Sequence, residues 1–229
     1  MKEFVLRQIA TIRTPFATKF GAPRQSGLVP THGEVVFLPA YRDENALRGI
    51  EAFSHLWLLW GFSEVPSDVS FSPTVRPPRL GGNRRMGVFA TRAPWRPNPI
   101  GLSAVELCEV KKTEADGTIL VVSGVDMMDG TPIYDIKPYL AYADSYPDAV
   151  SGFGGAAFGK KLIVVWQTAC TQLTAEEKEI LTALLAEDPR PSYQKDATRE
   201  YGFVYGAREV TFVVDGDTLF VTGVTPKKQ

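Results

Sequence analysis

Short apolar segments, separated by turns rich in Gly and Pro, dominate the first two thirds of the chain and predict strands rather than long helices. Residues 4–13 (FVLRQIATIR) carry apolar and β-branched character and end at Thr14-Pro15, which predicts a first strand. A polar Gly/Pro loop leads to a second strand over 34–38 (EVVFL). Asp43 is placed to cap a short helix through Ala46, Leu47 and Ile50, ending near Phe53. The nearly continuous apolar run 55–62 (HLWLLWGF) suits a buried strand, and the Pro-rich stretch 66–83 suits a loop. Further strands are predicted at 86–90, 102–110, 118–125 and 161–168, with Ala115-Asp116-Gly117 turning one hairpin. Many short strands with few helices predict an antiparallel or mixed β-barrel.

The pattern changes at Thr174. Thr174-Ala-Glu-Glu177 reads as a capping box, in which the Thr hydroxyl accepts an amide and the Glu reaches back. Ile180, Leu181, Leu184 and Leu185 then recur at helical spacing, and Pro189 stops the helix. Residues 209–224 form a predicted hairpin around Asp215-Gly216-Asp217. The expectation is therefore mainly β: a barrel-like N-terminal domain over 1–170 and a small α+β domain over 171–229. The polar, aromatic connection 189–201 reads as either a linker or an exposed binding surface.

Composition adds bounds. A chain of 229 residues, 44% hydrophobic and 22% charged, has material for a real core in one or two units. Two cysteines, Cys108 and Cys170, and two histidines, His32 and His55, are too few and too scattered for a zinc site, so no metal is expected. The charged N-terminus is not a signal peptide and no run matches a membrane span, so a soluble cytoplasmic protein without membrane contact is expected. A net charge of −1 offers no global case for nucleic acid. The distribution reverses that: no acidic residue lies between Asp68 and Glu106, where Arg76, Arg79, Arg84, Arg85, Arg92 and Arg96 all fall.

Several motifs imitate known chemistry. Residues 154–160 match GxxxxGK, but Lys161 stands where a P-loop needs Ser or Thr, and the strand-like LIVVW follows instead of a helix. Neither His32 nor His55 lies near a GxSxG elbow. Asp126 and Asp129 have no spacing that separates them from turn-forming residues.

Two motifs carry more. Arg92-Ala-Pro-Trp-Arg96-Pro-Asn98-Pro-Ile-Gly101 packs three prolines into six residues, so the loop is rigid. It bears two guanidinium forks for a carboxylate or phosphate and a Trp face, unless it is only a Pro-rich turn with solvated arginines. Asp129-Gly130-Thr131-Pro132-Ile-Tyr-Asp135-Ile-Lys137-Pro138 has a tight turn whose amides can be presented. Its Asp135/Lys137 pair reads equally as a site or as an ion-paired hairpin edge.

GVFATRAPWRPNPIGLS (87–103) and DGTPIYDIKPYL (129–140), with HLWLLW (55–60) and APRQ (22–25), resemble the TrmO family (YaeB/TsaA type) of S-adenosylmethionine-dependent tRNA methyltransferases. The match runs in order across residues 5–167, and DPRPSYQ (188–194) with the last hairpin is similar to the small C-terminal domain of bacterial members. The resemblance implies a non-Rossmann β-barrel and a homodimer with the cofactor near the subunit interface. The implied reaction is methylation of N6 of threonylcarbamoyl-adenosine beside the anticodon of threonine tRNA. By motif position, the implied cofactor contacts are Pro23, Arg24, Gln25, His55, Arg92, Leu102, Asp129, Gly130, Thr131 and Pro132. The chain departs from the commoner family wording at Ala93, Trp95 and Tyr134, none of which removes a charge.

Within that frame Arg92 pairs with the cofactor carboxylate, the Gly130 and Thr131 amides meet its adenine or ribose, and Leu102 flanks the ring. Asp135 is the candidate catalytic base, because the acceptor nitrogen is a poor nucleophile while protonated. Arg76, Arg79, Arg84, Arg85 and Arg96 are the expected RNA footprint, with the small C-terminal domain a further candidate for tRNA contact. Two other classes remain open at this level: a non-catalytic RNA- or ligand-binding barrel, and a methyltransferase acting on another substrate.

Overall fold

The computed structural model describes residues 4–66, 70–77, 80, 83–156, 161–168, 172–190 and 196–227. In chain order the strands of the first unit are β1 (Ala10–Arg13), β2 (His32–Phe37), β3 (His55–Gly61), β4 (Thr74–Val75), β5 (Met86–Gly87), β6 (Ile100–Thr113), β7 (Gly117–Ser123) and β8 (Thr131–Pro138). Two short helices, α1 (Ala141–Asp144) and α2 (Gly152–Ala156), lead to β9 (Ile163–Trp166) and the longer helix α3 (Ala175–Ala186). Strands β10 (Tyr201–Tyr205), β11 (Arg208–Asp215) and β12 (Thr218–Pro226) follow.

Six strands close a ring in the order β1-β2-β7-β6-β3-β8, every pair antiparallel. Alternation along β3 shows how residue type builds it. Leu56, Leu58 and Trp60 point into the buried interior, while His55, Trp57 and Leu59 face outward. Ile12, Val35, Val105, Leu120, Val122 and Ile133 complete the barrel core. Close packing at one rim requires glycine: a Cβ on Gly101 would lie 2.2 Å from the Trp60 ring.

The β6–β7 hairpin forms where the sequence predicts it, and Asp116 in its turn receives the Arg13 guanidinium at 2.6 Å. Other expectations change. The first strand is shorter than 4–13, because ladder bonds begin only at Ile9, which donates to Ile133. The helix expected from Asp43 is two 3₁₀ turns, Glu44–Leu47 and Ile50–Ala52, separated by Gly49 at φ 88°. Of the strand expected at 86–90, only Met86–Gly87 pairs, with β4, and residues 88–90 close a 3₁₀ turn. The Asp135/Lys137 segment belongs to no hairpin, but it is ion-paired at 2.7 Å and bonded to β3 alone, since the β1 ladder reaches only Ile133.

Strand β9 runs parallel to β12 in a second sheet ordered β10-β11-β12-β9, so it is not a barrel strand, and a division at residue 170 would cut this sheet. Helix α3 begins with both halves of the capping box: Glu177 donates its amide to Thr174 Oγ1 at 3.1 Å, and Thr174 donates to Glu177 Oε2 at 2.8 Å. It covers the second sheet with Ile180, Leu181, Leu184 and Leu185. The two sheets share one core. Phe16 meets Tyr205 edge-on at 5.9 Å, and Gly206 donates to the Pro15 carbonyl at 2.8 Å.

Replacing Gly101 by Ala overpacks the Trp60 rim and is expected to lower unfolding free energy by about 1–3 kcal/mol. Gly87→Ala, which meets open space, is expected to stay within about 0.5 kcal/mol. Urea denaturation of both variants checks this.

Candidate functional site

A cleft of about 1810 Å³ opens at the Gly101 end of the barrel. Three stretches far apart in sequence build it: the early loop at Arg24–Ser26, the β4–β5 segment with the Pro-rich loop, and the Gly-rich start of α2 at Ser151–Gly155. Its lining contains Arg24, Arg76, Arg92 and Arg96 and, among the described residues, no carboxylate. Proline makes the Arg92–Gly101 loop a scaffold: Arg96 folds back to donate to the Thr91 carbonyl at 3.0 Å, and its own amide bonds the Pro94 carbonyl at 2.9 Å. Arg92 reaches across to the Gln25 side-chain carbonyl, joining two of the sequence motifs directly.

Arg24 behaves differently. Its guanidinium donates to the backbone carbonyls of Asp188 at 3.0 Å and Arg190 at 2.9 Å, both in the second unit. Arg190 is itself held in a fork by the Asp188 carboxylate, with bonds of 2.9 and 3.0 Å. Pro23 beside it is buried, so this part of the early motif straps the loop to the second unit.

The remaining expected contacts lie elsewhere on the chain. Leu59 pairs with Leu102 on one side and Asp135 on the other, so these residues form a row across β6, β3 and β8. Side chains at alternate positions share a face, which sets His55, Trp57 and Leu59 on the barrel exterior together with Leu102 and Asp135. Leu102 is 54% exposed there. His55 Nδ1 lies 2.9 Å from Ser54 Oγ and its ring 6.1 Å from Tyr139. Asp135 is paired with Lys137 at 2.7 Å and accepts the Ile136 amide at 3.0 Å. None of these residues lines the Arg92 cleft.

The Asp129 turn is also committed to the fold. Asp129, Gly130 and Thr131 donate their amides to the carbonyls of Phe16, Ile12 and Met128 at 2.8, 2.9 and 3.2 Å. Thr131 is buried, its hydroxyl donates to Met128 at 2.7 Å, and Pro132 pairs with Thr11 in the β1–β8 ladder. The expectation that the Gly130 and Thr131 amides meet a ligand therefore does not hold within this conformation, because both already have acceptors.

Of the expected RNA footprint, Arg76 and Arg96 line the cleft. Arg84 and Arg85 are exposed, and along with Arg76 make no hydrogen bond or ion pair among the described residues. Arg79 lies outside the described residues. No group of three His, Cys, Asp or Glu among the described residues is placed to hold a metal ion.

Asp126 is the residue that sequence reasoning passed over. Ser103 donates to its Oδ1 at 2.6 Å, and Trp60 Nε1 donates to Ser103 Oγ at 2.9 Å, a relay running from the barrel core. The Ser26 amide and the Arg92 charge also act on this carboxyl. Burial is the largest influence and pushes Asp126 above its ordinary 3.8, against the opposing pull of Ser103, the amides and Arg92. Spacing alone gave no signal, since Asp126 and Asp129 look alike in sequence and only the fold gives them different burial and partners.

A raised folded-state value means that the folded protein holds this proton more tightly than the unfolded chain. The stability associated with Asp126 is therefore full below about pH 4 and falls as pH rises through the folded value. Asp126→Asn is expected to remove that fall, so melting temperatures of variant and wild type, followed between pH 4 and 7, diverge in favour of Asn as pH rises.

Comparisons with known proteins agree in length and order with this architecture. The family model of the tRNA-methyltransferase O N-terminal domain matches residues 11–145, and that of the TrmO C-terminal domain matches residues 160–227. A tRNA (adenine(37)-N6)-methyltransferase of Escherichia coli K12 is 46% identical over 210 residues, covering 85% of this chain and 86% of the relative. A probable S-adenosyl-L-methionine-binding protein of Methanothermobacter thermautotrophicus is 39% identical over 143 residues, 62% of this chain and 95% of that relative. The crystal structure of TrmO from Pseudomonas aeruginosa superposes with a TM-score of 0.77 at 32% identity, covering 98% of this chain and 100% of that one. With both domain models matched in order and nearly half the residues shared with a relative of equal extent, the chain belongs to the TrmO family.

Proposed function

We propose that this chain transfers the methyl group of S-adenosylmethionine to N6 of the adenosine at position 37 of tRNA, in the cytoplasm. The observation that carries the reading is the cleft itself: four arginines, no carboxylate among the described lining residues, and exposed aromatic faces, in a member of this family. That lining matches a polyanion presenting flat bases. The finer substrate is threonylcarbamoyl-adenosine in threonine tRNA, whose added carboxylate suits an arginine-lined cleft.

The residues fit the cofactor. Arg92 offers a guanidinium fork for its carboxylate, and Gln25 and Ser26 supply amide and hydroxyl partners at the same rim. S-Adenosylmethionine, when bound, supplies an electrophilic methyl on a sulfonium, a displacement for which positioning provides much of the rate. The protein's part is to hold the base in line, exclude water and accept the N6 proton.

Asp135 is the proposed base, and His55 and Leu102 the proposed partners of the cofactor from the barrel exterior. Asp129 through Pro132 are proposed to shape the site through the turn rather than through free amides. Since this outer group does not line the Arg92 cleft within one chain, the proposal includes a homodimer in which the outer face of one copy completes the cleft of the other. The half-buried Trp57 and Leu59 and the exposed Leu102 provide the apolar surface that such a contact needs. The second unit, strapped to the loop by Arg24, is proposed to extend the tRNA contact.

Purified protein incubated with tritiated cofactor and total tRNA is expected to label the N6 position of adenosine 37, and no label in tRNA overturns the reading. Arg92→Ala is expected to weaken cofactor binding about tenfold or more, consistent with loss of a charge-assisted pair. Asp135→Asn is expected to lower kcat by about 10²–10⁴-fold while a cofactor-induced rise in melting temperature persists. Arg84→Glu with Arg85→Glu is expected to weaken tRNA binding and leave cofactor affinity intact, as measured by filter binding and calorimetry.

A further inference from the structure

Phe71 and Phe89 form an aromatic pair on the cleft wall that neither the core nor the proposed cofactor contacts use. Their rings are close to parallel, tilted by 25° with centroids 6.3 Å apart. Phe71 is 57% exposed and Phe89 73%, and no described part of the chain covers them. Large aromatic rings left in water on a cleft wall mark a surface that something else covers.

The pair is held out by a braced segment rather than by a loose loop. Buried Val88 donates its amide to the Pro73 carbonyl at 3.0 Å, and Thr91 closes the turn with amide and hydroxyl bonds to the Val88 carbonyl at 3.1 and 2.8 Å. On the other side, Ser72 donates to the Thr74 carbonyl at 2.8 Å, and Thr74 pairs with Gly87 in the β4–β5 ladder. The backbone that carries both rings is therefore braced next to each of them, which lowers the ordering cost on binding.

Their surroundings select the occupant. Arg76, Arg92 and Arg96 share the wall with them, and Trp95 adds a third ring at 48% exposure. Cationic forks between aromatic faces, without acid among the described lining residues, match a single-stranded nucleic acid: phosphates on the arginines and unstacked bases on the rings. A cavity of about 1810 Å³ also exceeds the range of about 300–1,000 Å³ usual for one small ligand, leaving room beyond the cofactor.

We propose that Phe71 and Phe89 form a stacking platform for an unstacked base of the bound RNA loop, at or beside the methylated adenosine. The inference rests on the tRNA methyl-transfer reading above and adds to it a base subsite. An adenine displaced from its helical stack loses neighbours on both faces, and each flanking base loses the neighbour on one. A fixed ring pair at the cleft restores one such face and holds the loop open while the methyl group is transferred.

The test uses an anticodon stem-loop RNA with 2-aminopurine placed, one position at a time, at position 37 and at the two bases that flank it. Wild-type protein is expected to quench the fluorescence at one of the three positions. Combined Phe71→Ala and Phe89→Ala is expected to abolish that quench and weaken RNA binding by about 5- to 100-fold. The cofactor-induced rise in melting temperature stays as in wild type. Phe71→Tyr with Phe89→Tyr keeps both faces and is expected to retain quench and affinity, which separates stacking from a folding defect. Retained quench and affinity in the double Ala variant overturns the proposal, as does a loss of cofactor binding with RNA affinity unchanged, which assigns the rings to the cofactor. Wild-type protein that neither binds the stem-loop nor methylates tRNA overturns the functional reading and this subsite with it. Methylation by wild type with an unaffected double Ala variant overturns the subsite alone.

Discussion

Strand β8 is hydrogen-bonded to β1 along one side and to β3 along the other, and through these two ladders the six-stranded sheet has no free edge. The register that allows this depends on an irregularity between Leu59 and Trp60: Leu59 faces Asp135 while the next residue, Trp60, faces Ile133. Tyr134 is the extra residue on the bulged strand. With it, Ile133 and Ile136 both serve the core while Asp135 is turned outward. The turn before β8 is fixed by the same closure, since the Asp129 and Gly130 amides bond to carbonyls at Phe16 and Ile12. A motif that reads as a ligand-binding turn is thus also the clasp of the barrel.

Closure divides the chemistry between two surfaces. The arginines gather at one rim, where prolines hold the Arg92–Gly101 loop rigid and the Asp126 carboxyl senses the Arg92 charge. Asp135, Leu59 and Leu102 lie along the outer row of β6, β3 and β8. Charge follows the same division, because acidic residues are missing from 69–105 and concentrated later in the chain. A positive face and a solvating negative remainder let a nearly neutral molecule attract a polyanion.

Local signals were legible in the sequence and remote ones were not. The β6–β7 hairpin was readable because apolar segments flank a turn of Ala115, Asp116 and Gly117, and α3 because Thr174 and Glu177 cap each other within four residues. The identity of β9 was hidden, since its apolar residues suit any sheet and its partner, β12, lies in the last part of the chain. The short first strand and the broken helix after Asp43 show tertiary pairing and a single glycine overriding a plausible pattern. At the site, the arginine-rich loop was readable from its prolines and charges. Arg24 was not, because its acceptors at Asp188 and Arg190 are distant in sequence, and Asp126 was not, because burial is a property of the folded barrel.

The pairing of β9 with β12 has a consequence for the order of assembly. During synthesis the barrel has all six strands once residue 138 has been made, whereas the second sheet waits for β12 at 218–226 to come between β11 and β9. Domains fold as units from the N-terminal side as the chain emerges, so the barrel precedes the second unit. The Arg24 strap needs carbonyls at 188 and 190, and the contact of Phe16 needs Tyr205. The nascent barrel therefore exists for a time without the Arg24 strap, its early loop held by the Gln25–Arg92 and Ser26–Asp126 contacts. The final tie on that loop comes from the C-terminal side, at Asp188 and Arg190.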